Sequence, residues 1–342
     1  MVTARQDFSE IAPFDAERAR IADDMVRRIR ETLGTTGAST VLAEASEYVL
    51  SVVGKLMRPM LMLEACRAGG GDPEKAFPAA LGTEYGHIAS LVHDDIIDGD
   101  HERRGQQTVH TRYDVATAIL TGDMFIFHTF LNFTECEQRG VSSQRVLEAV
   151  RMLSETCIAM CQGQALEAAM AGDLSMGVKD YLTMIALKTA SFCRAAAHIG
   201  ALLGGADDSA VAALNGFGEH LGMTFQIIDD MLPYTSDARA TGKPSSSDIT
   251  NGRVTLPIIY AVQSSASAKR EFEAIFRSGA THSPDAHRRL RRILGETRAL
   301  DRTRAVAYRY TSKAKRQLDL LPHSPSRERL RGLADMLVMR QR

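Results

Sequence analysis

Apolar residues recur along almost the whole chain at spacings of three and four, the period of a helix with one buried face. Sustained alternation of apolar and polar positions, the mark of a strand, is nearly absent. Asn251-Gly252, a pair that often turns a hairpin, stands in a polar stretch without β-branched flanks. The pattern predicts helices near residues 15–33, 38–68, 74–98, 112–138, 142–171, 178–204, 208–232, 254–263, 266–278, 285–298, 300–320 and 325–340. Turn chemistry separates several of them: Gly69-Gly70-Gly71-Asp72-Pro73, Ala171-Gly172-Asp173 and Gly204-Gly205-Ala206-Asp207. Tyr234 to Arg253 is the longest polar run, of a length that is functional or disordered when it occurs in a compact domain. No Pro/Ser-rich linker or shift of composition divides the 342 residues, so the expectation is one large all-α domain over 1–342.

Two segments break the apolar pattern in the same way. LVHDDIIDGDHERRG places Asp94, Asp95 and Asp98 at the end of an apolar helix, and FQIIDDMLPY places Asp229 and Asp230 in another. Adjacent carboxylates repel and are costly to desolvate. Asp94 and Asp98 stand four apart and share a face. A solvated helix end explains Asp100 and Glu102, but it explains two aspartates after an apolar run poorly. Two such clusters facing each other would hold a hard divalent cation, Mg²⁺ carrying a diphosphate.

Basic residues accompany the acids. Arg103-Arg104 follow the first cluster, GKLMRP carries Lys55 and Arg58 at i and i+3, expected on one helix face, and KTASF sets Lys188 beside Thr189 in an apolar helix. Single lysines usually snorkel to water. Four basic sites near acid clusters point instead to a second anion, for which Arg and Lys are the usual phosphate donors. Glu84 and His87 form Glu-x-x-His, a di-iron pattern; such a site needs a second copy and two further helical glutamates, and no second copy occurs in the sequence.

A formal net charge of −1 does not suit nucleic acid. Five cysteines without a CxxC pair point to a reducing, cytoplasmic setting. The N-terminal residues lack the apolar stretch of a secretory signal, and the most apolar region, near Ala195 to Ala206, is too short to span a bilayer. The Ala/Gly-rich runs AALGTEYGHIAS and CRAAAHIGALLGG fit either tight helix packing or a lined cavity.

Taken in order, these motifs resemble the trans-isoprenyl diphosphate synthases, or polyprenyl synthetases, from about Gly54 to the C-terminus. GKLMRP resembles GKxxRP; Asp94 to Asp98 resembles the first aspartate-rich motif, DDxxD; Arg103-Arg104-Gly105 resembles RRG. Gly122-Asp123, Gly163-Gln164 and Lys188-Thr189 match a GD, a GQ and a KT pair, Phe225 to Asp230 matches FQxxDD, and TGKPSSSDITNGRVTLP resembles the family's GKP and TLP stretch. Pro233 stands where many members carry a third Asp, and Arg253 where Lys is usual.

The resemblance implies an orthogonal helical bundle around a central cavity, acting as a homodimer without a membrane anchor. It implies Mg²⁺ and two substrates, an allylic diphosphate and isopentenyl diphosphate. Asp94, Asp98 and Asp229 would ligate Mg²⁺, with Asp95 and Asp230 as outer or further ligands. Arg103, Lys188 and Lys243 would contact the allylic diphosphate. Lys55, Arg58, His87 and Arg104 would hold isopentenyl diphosphate, and Thr189 and Gln226 would lie near the allylic cation. The growing chain would pass Ala89 and Ser90, too small to stop it, and meet a floor at Phe125. A geranylgeranyl or longer product is the expectation. A class I terpene cyclase would not need Lys55, Arg58 and Arg104, and a noncatalytic subunit of a heteromeric synthase would be expected to lose its aspartates.

Overall fold

The computed structural model describes residues 14–33, 40–52, 54–235, 252–278 and 284–339. They are helical almost throughout, and among them the only strands are two residues long. The helices are α1 Asp15–Leu33, α2 Thr40–Leu50, α3 Met57–Ala68 and α4 Pro73–Asp98. A short hairpin follows, β1 Glu102–Arg103 against β2 Gln106–Gln107, then α5 Val109–Arg112, α6 Val115–Thr134 and α7 Ser143–Ala169. After these come α8 Val178–Ile185, a π-helical turn Ala186–Ala190, α9 Ser191–Gly204, α10 Asp208–Asp229 and α11 Leu232–Thr235. The chain ends with α12 Leu256–Ser264, α13 Ala266–Ser278, α14 Pro284–Glu296, α15 Ala299–Leu318 and α16 Pro325–Met339.

The chain forms two compact units, Met1–Leu63 with Glu74–Val146, and Glu64–Pro73 with Leu147–Arg342. In the first, α1 buries Ile21, Met25 and Ile29, one turn apart on one stripe. Tyr85 of α4 donates its hydroxyl to the Met25 carbonyl at 2.6 Å, and its ring stacks on Phe125 of α6 at 5.7 Å. Asp114 caps α6 by accepting from the Thr117 N–H at 2.6 Å. The run AALGTEYG is wholly buried up to Tyr85, with Ala79 and Ala80 at zero exposure. In the second unit α10 packs mainly on α9 and α15. Asp207 caps α10 through the Ala210 N–H at 2.8 Å. Tyr181, Ile185, Ile227, Ile228, Phe272 and Leu290 belong to its core.

Three expectations need correction. The helix expected over 38–68 is two helices, α2 and α3. Between them Leu56 adopts the left-handed region (φ 52°), where a helix cannot pass. Lys55 therefore lies in the connection, exposed, and does not share a helix face with Arg58. The helix expected to reach 232 stops at Asp229, because Pro233 lacks an N–H and its ring would crowd the carbonyl four residues back. The most apolar region is expected near Ala195 to Ala206; among the described residues the stretch long and apolar enough to cross a membrane, by length and composition alone, is residues 115–139. It contains α6, whose inner side carries Thr121, Phe125, His128 and Asn132 in the packed interior of the first unit.

Candidate active site

The first unit carries one half of the expected machinery. Asp94 and Asp98 are half-buried on the last turns of α4, whereas Asp95 is buried at 4 % exposure. Asp95 accepts a hydrogen bond from Nε of Arg103, and an Arg103 Nη reaches Asp100 at 3.7 Å. The hairpin sets this geometry. Its two turn residues, Arg104 and Gly105, both have positive φ (53° and 76°), as a two-residue hairpin turn demands. Arg103 is thereby sent back to α4, and Arg104 to the connection before α3, where its Nη1 donates to the Val52 carbonyl at 3.0 Å. A Cβ on Gly54 would come within 2.5 Å of that guanidinium, so the glycine of the GKLMRP segment exists to let Arg104 in.

Two to three turns earlier on α4, Glu84 and His87 face the same cations. Burial, then the charges of Arg58, Arg104 and Arg103, holds the His87 imidazole well below its ordinary range. Burial pushes the Glu84 carboxyl up, against the opposing pull of Arg58 and Arg104. Its Oε2 is a buried acceptor without a hydrogen-bond partner. Arg58, His87 and Arg104 are thus gathered at one place, with Lys55 exposed on the preceding connection. Guanidinium groups around Glu84 would repel iron, which removes the di-iron alternative. Ala89 is buried, and the Ser90 hydroxyl is turned back onto the His87 carbonyl at 2.7 Å. Phe125 has zero exposure, while Phe127 on the same helix is 71 % exposed.

The second unit carries the rest that is described. At the end of α10 Asp229 is exposed and Asp230 is buried at 7 %. Both Asp230 oxygens accept hydrogen bonds from protein groups, Oδ2 from the Tyr181 hydroxyl at 2.7 Å and Oδ1 from the Gln226 amide at 2.6 Å. Thr189 donates to the other end of that amide at 2.7 Å. Lys188 and Thr189 lie on the π-helical turn, a distortion that is common at functional sites. Lys188 Nζ is 2.6 Å from Glu167, which also has Arg253 Nε at 3.4 Å. A Cβ on Gly163 would stand 2.4 Å from the Lys188 backbone nitrogen, so the GQ glycine lets α7 touch the turn. Lys243, Asp248 and most of the polar run 234–253 lie outside the described residues.

Sequence reasoning passed over Tyr181 and Glu167. Both had a faint signal. Tyr181 stands seven residues before Lys188, two helical turns, and Glu167 stands four after Gly163 on the same helix.

Carboxylate oxygens are the donors that could hold a metal in each unit: Asp94 with Asp98 in the first, and Asp229 in the second. Among the described residues no group of three or more His, Cys, Asp or Glu side chains is gathered into a ready-made cage. That donor set fits Mg²⁺, which is typically bound through one or two carboxylates and completed by phosphate oxygens and water.

A helical chain with paired carboxylates at the end of one helix, a cationic cluster gathered around an earlier turn of it and a buried carboxylate network on another helix is the profile of an enzyme that handles diphosphates. The polyprenyl synthetase family model matches residues 39–293, and the chain belongs to that family. It is 36 % identical over 315 residues to a short chain isoprenyl diphosphate synthase of Methanothermobacter thermautotrophicus, covering 92 % of this chain and 94 % of that protein. It is 34 % identical over 300 residues to a geranylgeranyl diphosphate synthase of Methanosarcina mazei, covering 88 % and 90 %. Among solved structures it resembles a polyprenyl synthase from Caulobacter crescentus, complexed with calcium and isoprenyl diphosphate. The TM-score is 0.85 at 29 % identity, over 98 % of this chain and 97 % of that one.

Proposed function

We propose that this protein condenses isopentenyl diphosphate with an allylic diphosphate, head to tail and with trans geometry, to give a polyprenyl diphosphate of geranylgeranyl length or longer, with Mg²⁺ as its metal. The observation that carries this reading is the Arg58–His87–Arg104 cluster, a cationic anion site separate from the residues expected at the allylic diphosphate. An enzyme that only ionises one allylic diphosphate, such as a class I cyclase, has no use for it.

The residues divide the work. Arg58, Lys55 and Arg104 bind the isopentenyl diphosphate as charged donors, and His87, kept neutral by its surroundings, adds a hydrogen bond without further positive charge. Asp94, Asp98 and Asp229 would hold Mg²⁺, which when bound neutralises the allylic diphosphate and makes it a better leaving group. Arg103, Lys188 and Lys243 add positive charge on the same group. The C1–O bond breaks and the isopentenyl double bond attacks C1. A proton leaves the resulting cation for the departed diphosphate, and the chain is one isoprene unit longer. Water must be kept out or it quenches the cation.

Purified protein is incubated with Mg²⁺, isopentenyl diphosphate and farnesyl diphosphate, and the dephosphorylated products are weighed by mass spectrometry. A ladder ending in one longer prenol supports the reading. Hydrocarbon release, or nothing, removes it. Phe125→Ala sharpens the length assignment. Emptying that buried position should cost about 3–5 kcal/mol of stability and lengthen the product; an unchanged product length takes Phe125 out of that role.

The reading extends to a cytoplasmic homodimer. Val115, Ile119, Leu120, Phe127 and Leu131 form an exposed apolar stripe along α6 that a second copy would cover. None of the five cysteines is in a disulfide bond, which accords with a reducing compartment. Sedimentation at micromolar concentration that gives only monomer would remove the dimer.

A further inference from the structure

We infer that Tyr181 is a positioning residue of the reaction: through Asp230 it fixes the direction of a hydrogen-bonded chain that ends at Thr189 and turns the negative end of that chain toward the allylic substrate. The inference rests on the prenyltransferase reading given above.

The direction follows from valence. A carboxylate only accepts hydrogen bonds. Asp230 Oδ1, 2.6 Å from Gln226, must therefore face the amide NH₂ and not its carbonyl. The carbonyl end of Gln226 is then the end that meets Thr189, 2.7 Å away, and the Thr189 hydroxyl must spend its one proton there. What Thr189 has left for any ligand is lone pairs. Every donor in the chain points toward Asp230, so the anionic charge at its root polarises each bond in the same sense. A hydroxyl oxygen held this way stabilises positive charge and cannot turn its proton toward it.

Asp230 holds this sense only while its own rotamer is fixed. Tyr181 fixes it. Its ring has zero exposure in the core, and its hydroxyl donates to Oδ2 at 2.7 Å. Asp229 next door is exposed and is the residue expected at the diphosphate end of the substrate. The adjacent aspartates therefore do different things, one facing a ligand and the other setting the polarity of the wall beside it.

The test measures charge preference directly. The probes are an allylic mimic with a protonated nitrogen at the position of the reacting carbon, and its uncharged carbon isostere. Each is titrated calorimetrically with pyrophosphate and Mg²⁺ into wild type, Tyr181→Phe, Asp230→Asn and the double variant. Wild type should bind the charged mimic roughly tenfold more tightly than the isostere, and both single variants should lose that ratio. The double variant should lose no more than Asp230→Asn alone, because both changes act through one carboxylate. In the elongation assay Tyr181→Phe should lower kcat roughly tenfold and leave KM for isopentenyl diphosphate within about twofold.

The inference is overturned if wild type shows no charge preference, or if Tyr181→Phe keeps it. It is also overturned if both mimics weaken equally in Tyr181→Phe, or if the losses multiply in the double variant. Failure of wild type to elongate would overturn the prenyltransferase reading instead, and the binding ratio would still decide the role of Tyr181.

Discussion

The two aspartate clusters divide their carboxylates in the same way and secure them differently. Each has outward members, Asp94 and Asp98 in the first and Asp229 in the second, and one inward member, Asp95 or Asp230. Asp95 is paired with a guanidinium that a tight hairpin returns to its helix. Asp230 is held by a phenol and an amide. In the first cluster an inward charge meets an opposite charge, and its role is to pin Arg103. In the second it meets neutral dipoles, which carry its influence further. Neighbouring residues of identical type thus do unlike jobs, and the distinction is made by what each buried oxygen touches.

The comparison can be broken most severely at the outward positions. Asp94→Ala and Asp229→Ala should each lower elongation by roughly 10²–10³-fold with the fold retained, read by product formation beside a circular dichroism spectrum. Retention of activity in either variant would remove that cluster from the metal site. The inward positions should separate the clusters. Asp95→Asn takes the nearer of its two carboxylate partners from Arg103, only 18 % exposed, leaves Asp100 at 3.7 Å, and should cost about 3–5 kcal/mol in urea unfolding. Asp230→Asn replaces hydrogen bonds to neutral donors and should cost about 1–3 kcal/mol. Equal losses would erase the distinction drawn above.

A smaller effect sharpens the cationic side of the first region. His87 is held below its ordinary value of 6.5 in the folded protein. A depressed folded-state value means that the unfolded chain takes up the proton first. The stability that neutral His87 contributes is therefore present above about pH 6.5 and drains away as pH falls below it. Unfolding midpoints followed over that window should decline less in His87→Asn than in wild type. An identical slope would mean that His87 does not titrate this way.

Much of this was legible in the chain because it breaks local rules. Charges in apolar helices, as at Asp94, Asp95 and Lys188, are expensive enough to announce themselves, and the helices carrying them fall close to where periodicity puts them. The rest depends on contacts that only the fold creates. Tyr181 looks like any core aromatic until its hydroxyl is seen on Asp230. Glu167 looks like a solvated acid until Lys188 and Arg253 arrive. Leu56 and Arg104 give no sign of their left-handed backbones, since neither is glycine, so the break between α2 and α3 and the hairpin were hidden. The π-helical turn was hidden too, because one surplus residue leaves the 178–204 pattern looking like an unbroken helix.

That surplus residue has a consequence for how the protein can change over generations. A π-turn is an α-helix with one residue inserted, and each residue of an α-helix accounts for about 100° of rotation. Losing one residue of Ala186–Ala190 would restore an ordinary helix and remove the widened turn that absorbs that rotation and carries Lys188 and Thr189. The segment from Val178 to Gly204 can therefore drift in composition but not in length. Along a lineage it behaves as a fixed-length ruler, in which a trivial deletion is more damaging than many substitutions.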